Sequence, residues 1–244
     1  CARERRAPVT RWAWERPEDL GFLRSIAPER RPGVAFLART VHLAVDAVRE
    51  EPRRQPLVVP DETFLVAVVR VEGARRYARA SHSEPQRARV VEALRAASRL
   101  PGVRAVQLDY DALVSERAFY RSVLDEARRA LPAQTALTMT ALASWCAFDR
   151  WIDEAPALPV HAVVPMLFTM GARGTRELAE FVRREGDLAS PRCATDVGYA
   201  AHEPTLSLRE GSPARRVWWF NPAPWNAGQF AAVTARWSTH RCPP

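Results

Sequence analysis

The chain has 244 residues, 47% hydrophobic and 26% charged, which suits one large domain or two small ones. Its net charge of +8 is carried by arginine alone, and arginines spread along helical stretches without clustered stacking aromatics argue against a nucleic-acid face. No apolar run reaches the ~18 residues of a membrane-spanning helix, and the 10 glycines form neither a GxGxxG nor a phosphate-loop pattern, so no nucleotide cofactor is expected.

Residues 1–9 read as a tether. Cys1-Ala2 followed by a polar, arginine-rich stretch has the look of a mature lipoprotein, which would place a lipid anchor at Cys1 and the protein outside the cytoplasm, in the periplasm or at the outer membrane. The sequence from residue 10 to 244 reads as a single domain. Arg11–Glu15 is a first short strand, and Pro17 opens a helix over Glu18–Ile26. GVAFLARTVHLAV is a second strand, with room for a hairpin excursion through Glu51 and the Pro52–Gln55 turn to Leu57–Val59. Phe64–Glu72 is a third strand, apolar nearly throughout, as a strand covered on both faces must be.

Ser83 caps a helix through Ser98, and the fourth strand follows Pro101-Gly102. Ser115 caps the next helix, where Phe119, Val123, Ala127 and Leu131 recur at helical spacing. Ala136–Leu142 and Ala162–Met170 are strands five and six. A helix over Thr175–Glu185 ends at Gly186. Arg192–Tyr199 and Val217–Asn221 are strands seven and eight. Asn226 and Gln229 have the spacing of a capping box for a last helix. Eight strands separated mostly by helices predict an α/β fold of the (β/α)8 TIM-barrel type.

In such a barrel the strand C-termini form the active face. Trp14 and Glu15, Arg70 and Glu72, Asp109 and Asp111, Trp145, Met166, Asp196, Trp219 and Asn221 fall at these ends. Acids, a base and indoles around one rim suit a sugar, whose hydroxyls bond carboxylates and whose ring faces stack on tryptophan. The sharpest feature is strand four, VRAVQLDYD. Alternation puts Gln107, Asp109 and Asp111 on one face. Two ionised neighbours there repel, an arrangement tolerated where it does chemistry.

Four cysteines, Cys1, Cys146, Cys193 and Cys242, form no CxxC pair. Under oxidising conditions Cys193 and Cys242 could pair, with Cys146 a small buried hydrophobe. Five scattered histidines, without HExxH or a facial triad, give no expectation of a metal.

The V-Q-L-D-Y-D segment resembles the D-x-x-D-x-D-x-E signature of family 18 glycoside hydrolases. Asp109 falls on the last aspartate, Tyr110 on the aromatic position and Asp111 on the catalytic glutamate. Gln107 stands in place of one aspartate and Arg104 in place of the first. A longer likeness takes in VQLDYDALVSERAFYRSVLDEARRALP, LTMTALASWCAFDRWI, VVPMLFTMG and VWWFNPAPW, which are similar to the bacterial family catalogued as domain of unknown function 3142, placed among glycosidase-like barrels. The resemblance implies a carbohydrate partner and action on a polysaccharide or cell-envelope glycan, with Asp111 protonating the leaving oxygen and Asp109 orienting or stabilising the substrate. The alternative is a barrel that keeps the groove and binds carbohydrate or an envelope protein without turnover.

Overall fold

The computed structural model describes residues 9–73, 80–149, 151–154, 156–204, 206, 208 and 215–239. Eight parallel strands form a ring: β1 (Val9–Ala13), β2 (Gly33–Ala44), β3 (Leu65–Gly73), β4 (Val103–Tyr110), β5 (Ala136–Leu142), β6 (Ala162–Met166), β7 (Asp196–Ala200) and β8 (Arg216–Phe220). Each pairs with its neighbour in chain order, and β1 pairs with both β2 and β8, which closes the ring. Helices α1 (Glu84–Ser98), α2 (Arg117–Ala130), α3 (Ala143–Ala147), α4 (Gly171–Glu185) and α5 (Ala227–Thr239) follow β3, β4, β5, β6 and β8. This is the (β/α)8 barrel that the spacing predicted.

Two apolar layers sandwich the strands. Small and large inward side chains, among them Trp12, Ala35, Val68, Ala105, Val164 and Phe220, fill the ring. Outward residues of the same strands join the inner faces of the helices in a second, larger cluster. Tyr120 of α2 ties the layers together: its hydroxyl reaches the Leu108 carbonyl at 3.4 Å and the Thr140 carbonyl at 3.3 Å. Gly186, at φ +82, ends α4 where expected. Gln229 N donates to Asn226 Oδ1 at 2.9 Å and Asn226 N to Gln229 Oε1 at 3.3 Å, which is the expected capping box.

Two expectations need correction, while the hairpin excursion after β2 is present as expected. The helix over Glu18–Ile26 is instead a two-residue strand, Glu18–Asp19, and a 3-10 turn, Gly21–Ser25. Its backbone is captured by the chain returning from the hairpin: Glu18 N donates to the Pro56 carbonyl and Leu20 N to the Val58 carbonyl. The hairpin itself is β2 against Ala47–Pro52, antiparallel, while Leu57–Val58 pairs with Glu18–Asp19. Cys193 pairs with Cys146, not with Cys242, because the 3-10 turn Pro191–Cys193 ahead of β7 lies beside α3, where Ser190 N donates to the Cys146 carbonyl at 2.9 Å, and both cysteines are sealed in the outer layer. Cys1, Cys242 and the tether up to residue 8 lie outside the described residues.

One irregularity controls the ring's upper edge. The pairing of β2 with β3 slips by one residue between Leu37 and Arg39. Before the slip, Ala35 and Leu37 face inward. Beyond it, Thr40 pairs with Arg70 and His42 with Glu72, while Val41 and Val71 both join the outer layer. A bulge of this kind re-aims every later side chain on its strand.

Candidate functional site

The inward positions of β3 and β4 change character near their C-terminal ends. On β3, Val66 and Val68 give way to Arg70 and Glu72; on β4, Ala105 and Gln107 give way to Asp109, with Asp111 directly past the strand. Registered pairing sets Arg70 beside Asp109. Arg70, Val71, Glu72, Gly73, Asp109 and Asp111 line an open cavity of about 200 Å³ at the mouth of the ring.

Asp109 is the most enclosed of these acids, 6% exposed. One carboxylate oxygen accepts a 2.7 Å hydrogen bond from Thr140 Oγ1 of β5, and the other lies 3.7 Å from Arg70 Nη1. Burial pushes its carboxyl up to about 6, helped by the charges of Asp111 and Glu72 and opposed by Arg70 and the Thr140 bond. Burial prevails because the cation stands off beyond hydrogen-bond length. The result is a carboxyl that exchanges its proton close to neutrality, the property a proton-handling group needs.

Arg70 is committed elsewhere. Its Nε donates to Glu72 Oε1 at 2.9 Å, and its guanidinium lies 5.4 Å from the ring centroid of Trp14, at the end of β1. Glu72 is held on its far side by His42 Nδ1 at 3.3 Å, and His42 Nε2 reaches Glu51 of the hairpin at 3.1 Å. Trp14 is half-buried and packs on Trp12, centroid to centroid 5.7 Å. Met166, at the end of β6, also packs half-buried against the ring's filling.

The fold therefore brings Asp109, Asp111, Arg70, Glu72, Trp14 and Met166 to the mouth. It sends the other candidates elsewhere. Asp196 begins β7 rather than ending it, so it sits at the opposite end of the ring, where Arg216 and Trp218 Nε1 bind its carboxylate at 2.8–2.9 Å. Trp219 faces outward against Tyr199, since Trp218 and Phe220 take the inward positions of β8. Trp145 lies in α3, because β5 stops at Leu142, and it packs on Tyr120 and Trp151 in the outer layer. Glu15 accepts the backbone N–H groups of Arg54 and Gln55 and staples the hairpin's return. Asn221 donates to Gln229 and holds the start of α5.

Thr140 beside Asp109 and His42 beside Glu72 stand outside the rim that the sequence pattern predicts. Thr140 was legible, since alternation in LTMTAL puts Thr138 and Thr140 on one face with Ala136. His42 was not, because plain alternation from Ala35 and Leu37 would turn it outward and only the bulge turns it in. Among the described residues no group of three His, Cys, Asp or Glu side chains could hold a metal ion.

No family model and no curated protein matches the chain. Among solved structures it is similar to a Streptomyces coelicolor protein assigned as a chitinase A, at 11% identity over 97% of each chain with a TM-score of 0.55. It is also similar to the spore cortex-lytic enzyme SleL of Bacillus cereus, at 14% identity over 80% of this chain and 52% of that one, with a TM-score of 0.48. The chain thus spans about half the length of SleL. The first of these likenesses carries the fold alone, a (β/α)8 barrel.

Proposed function

We propose that the mouth of the barrel binds a carbohydrate and acts on a glycosidic bond of a polysaccharide or cell-envelope glycan. Asp111 donates a proton to the leaving oxygen. Asp109, one turn of the pleat deeper, orients a substrate amide or stabilises positive charge at the anomeric carbon. Trp14 offers a ring face to the sugar at the rim, and Arg70 and Glu72 bond its hydroxyls. The observation that carries this reading is the placement of two carboxyls in an open cavity at the C-terminal end of β4. The likeness of the whole chain to a chitinase-assigned barrel supports it, as does the family-18 resemblance of the same strand.

An extracytoplasmic site of action fits the Cys146–Cys193 disulfide, since such bonds persist in oxidising compartments. No helix of the described residues is long and apolar enough to cross a membrane. A lipid anchor at Cys1 and the likeness to domain of unknown function 3142 belong to the same proposal.

Asp111→Asn tests it. Release of reducing ends from a panel of envelope and chitin-type oligosaccharides should fall by about 100-fold or more, with glycan affinity retained. Wild-type protein that binds glycans and releases nothing would establish the non-catalytic binding barrel instead. Absence of any sugar affinity would remove both readings.

A further inference from the structure

A ladder of charge crosses five neighbouring strands at the mouth. Glu51 on the hairpin faces His42 on β2, His42 faces Glu72 on β3, Glu72 holds Arg70, Arg70 faces Asp109 on β4, and Thr140 of β5 closes the row. The spacings along it are uneven. Arg70 is hydrogen-bonded to Glu72 at 2.9 Å but stands 3.7 Å from Asp109. A guanidinium midway between two carboxylates has no reason to favour the exposed one, because the buried one would gain more from the contact. Something must hold it back.

The anchor is on the far side of Glu72. His42 presents Nδ1 to Glu72 and Nε2 to Glu51, so one ring links the two carboxylates. Glu51 is itself ion-paired with Arg49 on the same hairpin strand. The bulge after Leu37 is what turns His42 toward this row, and without it the position would carry its side chain into the outer layer.

We propose that His42 is a positioning residue for the mouth: by fixing Glu72 it draws Arg70 away from Asp109 and so keeps Asp109 able to carry a proton. It touches no substrate and acts through Glu72 and Arg70. The inference rests on reading Asp109 as a working carboxyl of the site and adds how its protonation is set. Among the described residues, the charged and titratable groups facing Asp109 are Arg70 and Glu72 on β3, Asp111 beyond β4 and Tyr120 on α2, with Thr140 as its hydrogen-bond donor. Loss of the anchor frees Arg70 to close on Asp109 and favour its ionised form.

The test is a carbon-13 NMR titration of aspartate carboxyls, with the Asp109 signal assigned through Asp109→Asn. The wild-type midpoint is expected at about 6. Glu72→Gln and His42→Phe should each lower it by about half a pH unit or more. His42→Gln, whose amide can still donate to Glu72, should recover much of that shift, which a purely space-filling role for His42 would not produce. An unmoved midpoint in His42→Phe, in protein with a wild-type near-ultraviolet circular dichroism spectrum, overturns the inference, because Glu72→Gln also removes the charge that Glu72 itself places near Asp109. The His42 side chain is 26% exposed, so His42→Ala, which removes the contact to Glu72 without adding bulk, keeps the test alive if His42→Phe does not fold. The titration needs no turnover. A protein that cleaves no glycan still reports on His42, and an active glycosidase with an unmoved Asp109 refutes only this step.

Discussion

Asp109 costs the fold what it contributes to the site. Its carboxyl titrates at about 6 in the folded chain against an ordinary 3.8, so between those values the folded state binds more protons than the unfolded one. Stability contributed by the protonated form is therefore complete below about pH 4 and is lost as pH rises through about 6. The shift corresponds to a penalty on the order of 3 kcal/mol at neutral pH and above. Asn in its place keeps the shape and a partner for Thr140 while removing the charge. Asp109→Asn should raise unfolding free energy by about 1–3 kcal/mol at pH 8 and leave it nearly unchanged near pH 3.5, as read by urea denaturation at the two pH values. Equal effects at both would mean that Asp109 is not a strained carboxyl. The pair Asp109–Asp111 was readable from the sequence because alternation on a buried strand leaves few other reasons for two acids in register. The role of Thr140 was equally readable but had no neighbour to suggest it until β5 lay beside β4.

At the scale of elements, the hairpin after β2 shows what sequence patterns miss. Strands β3 to β5 were found within a residue or two because their apolar runs are bounded by Gly, Pro or a helix cap. The bulge in β2 has no such mark, and it alone decides which side of the strand His42 occupies. The sequence pattern puts strand seven over Arg192–Tyr199, but β7 begins only at Asp196, which sets that acid at the base of the ring instead of the mouth. At β8 the choice between Trp218 and Trp219 as the inward indole depends on register with β7, which composition does not encode. The hairpin turn carries a local cost of its own. Val45 sits at φ +38, half exposed, with its carbonyl accepting from Ser81 N and Gln86 Nε2 at the start of α1. A β-branched residue in the left-handed region is strained by about 1–2 kcal/mol. Val45→Asn should relieve part of that strain and raise stability by about 0.5–1 kcal/mol, seen as a higher urea midpoint with unchanged slope. A lower midpoint would show that the valine side chain contributes more through contact than its backbone costs.

For the whole molecule, closure of the ring does what a glycine-rich turn or a metal does in other folds: it gathers residues from distant parts of the sequence at one end. That closure was legible from the count and spacing of strands. The covalent tie across it was not, because a cysteine's partner depends on which loops meet, and Cys146 reads like any other small core residue. Cys146 and Cys193 enclose 47 residues of separation that include β6 and α4. By loop-closure entropy such a link stabilises by about 4 kcal/mol, less whatever the native state gives back. Replacing both cysteines by alanine should therefore lower unfolding free energy by about 2–4 kcal/mol, measured under non-reducing conditions. A change below about half a kcal/mol would mean that the enclosed segment is already ordered in the unfolded chain.

The same bond bears on how the protein would age in a protease-rich setting. The exposed face of α4 lies wholly between the two sulfurs. A single cut there leaves the front and rear portions of the polypeptide joined, so a clipped molecule should migrate as one species in non-reducing electrophoresis and as two once a thiol is added. Arg70, Glu72, Asp109 and Asp111, which line the cavity, all precede Cys146 in the chain, so such a nick cuts none of the strands that carry them.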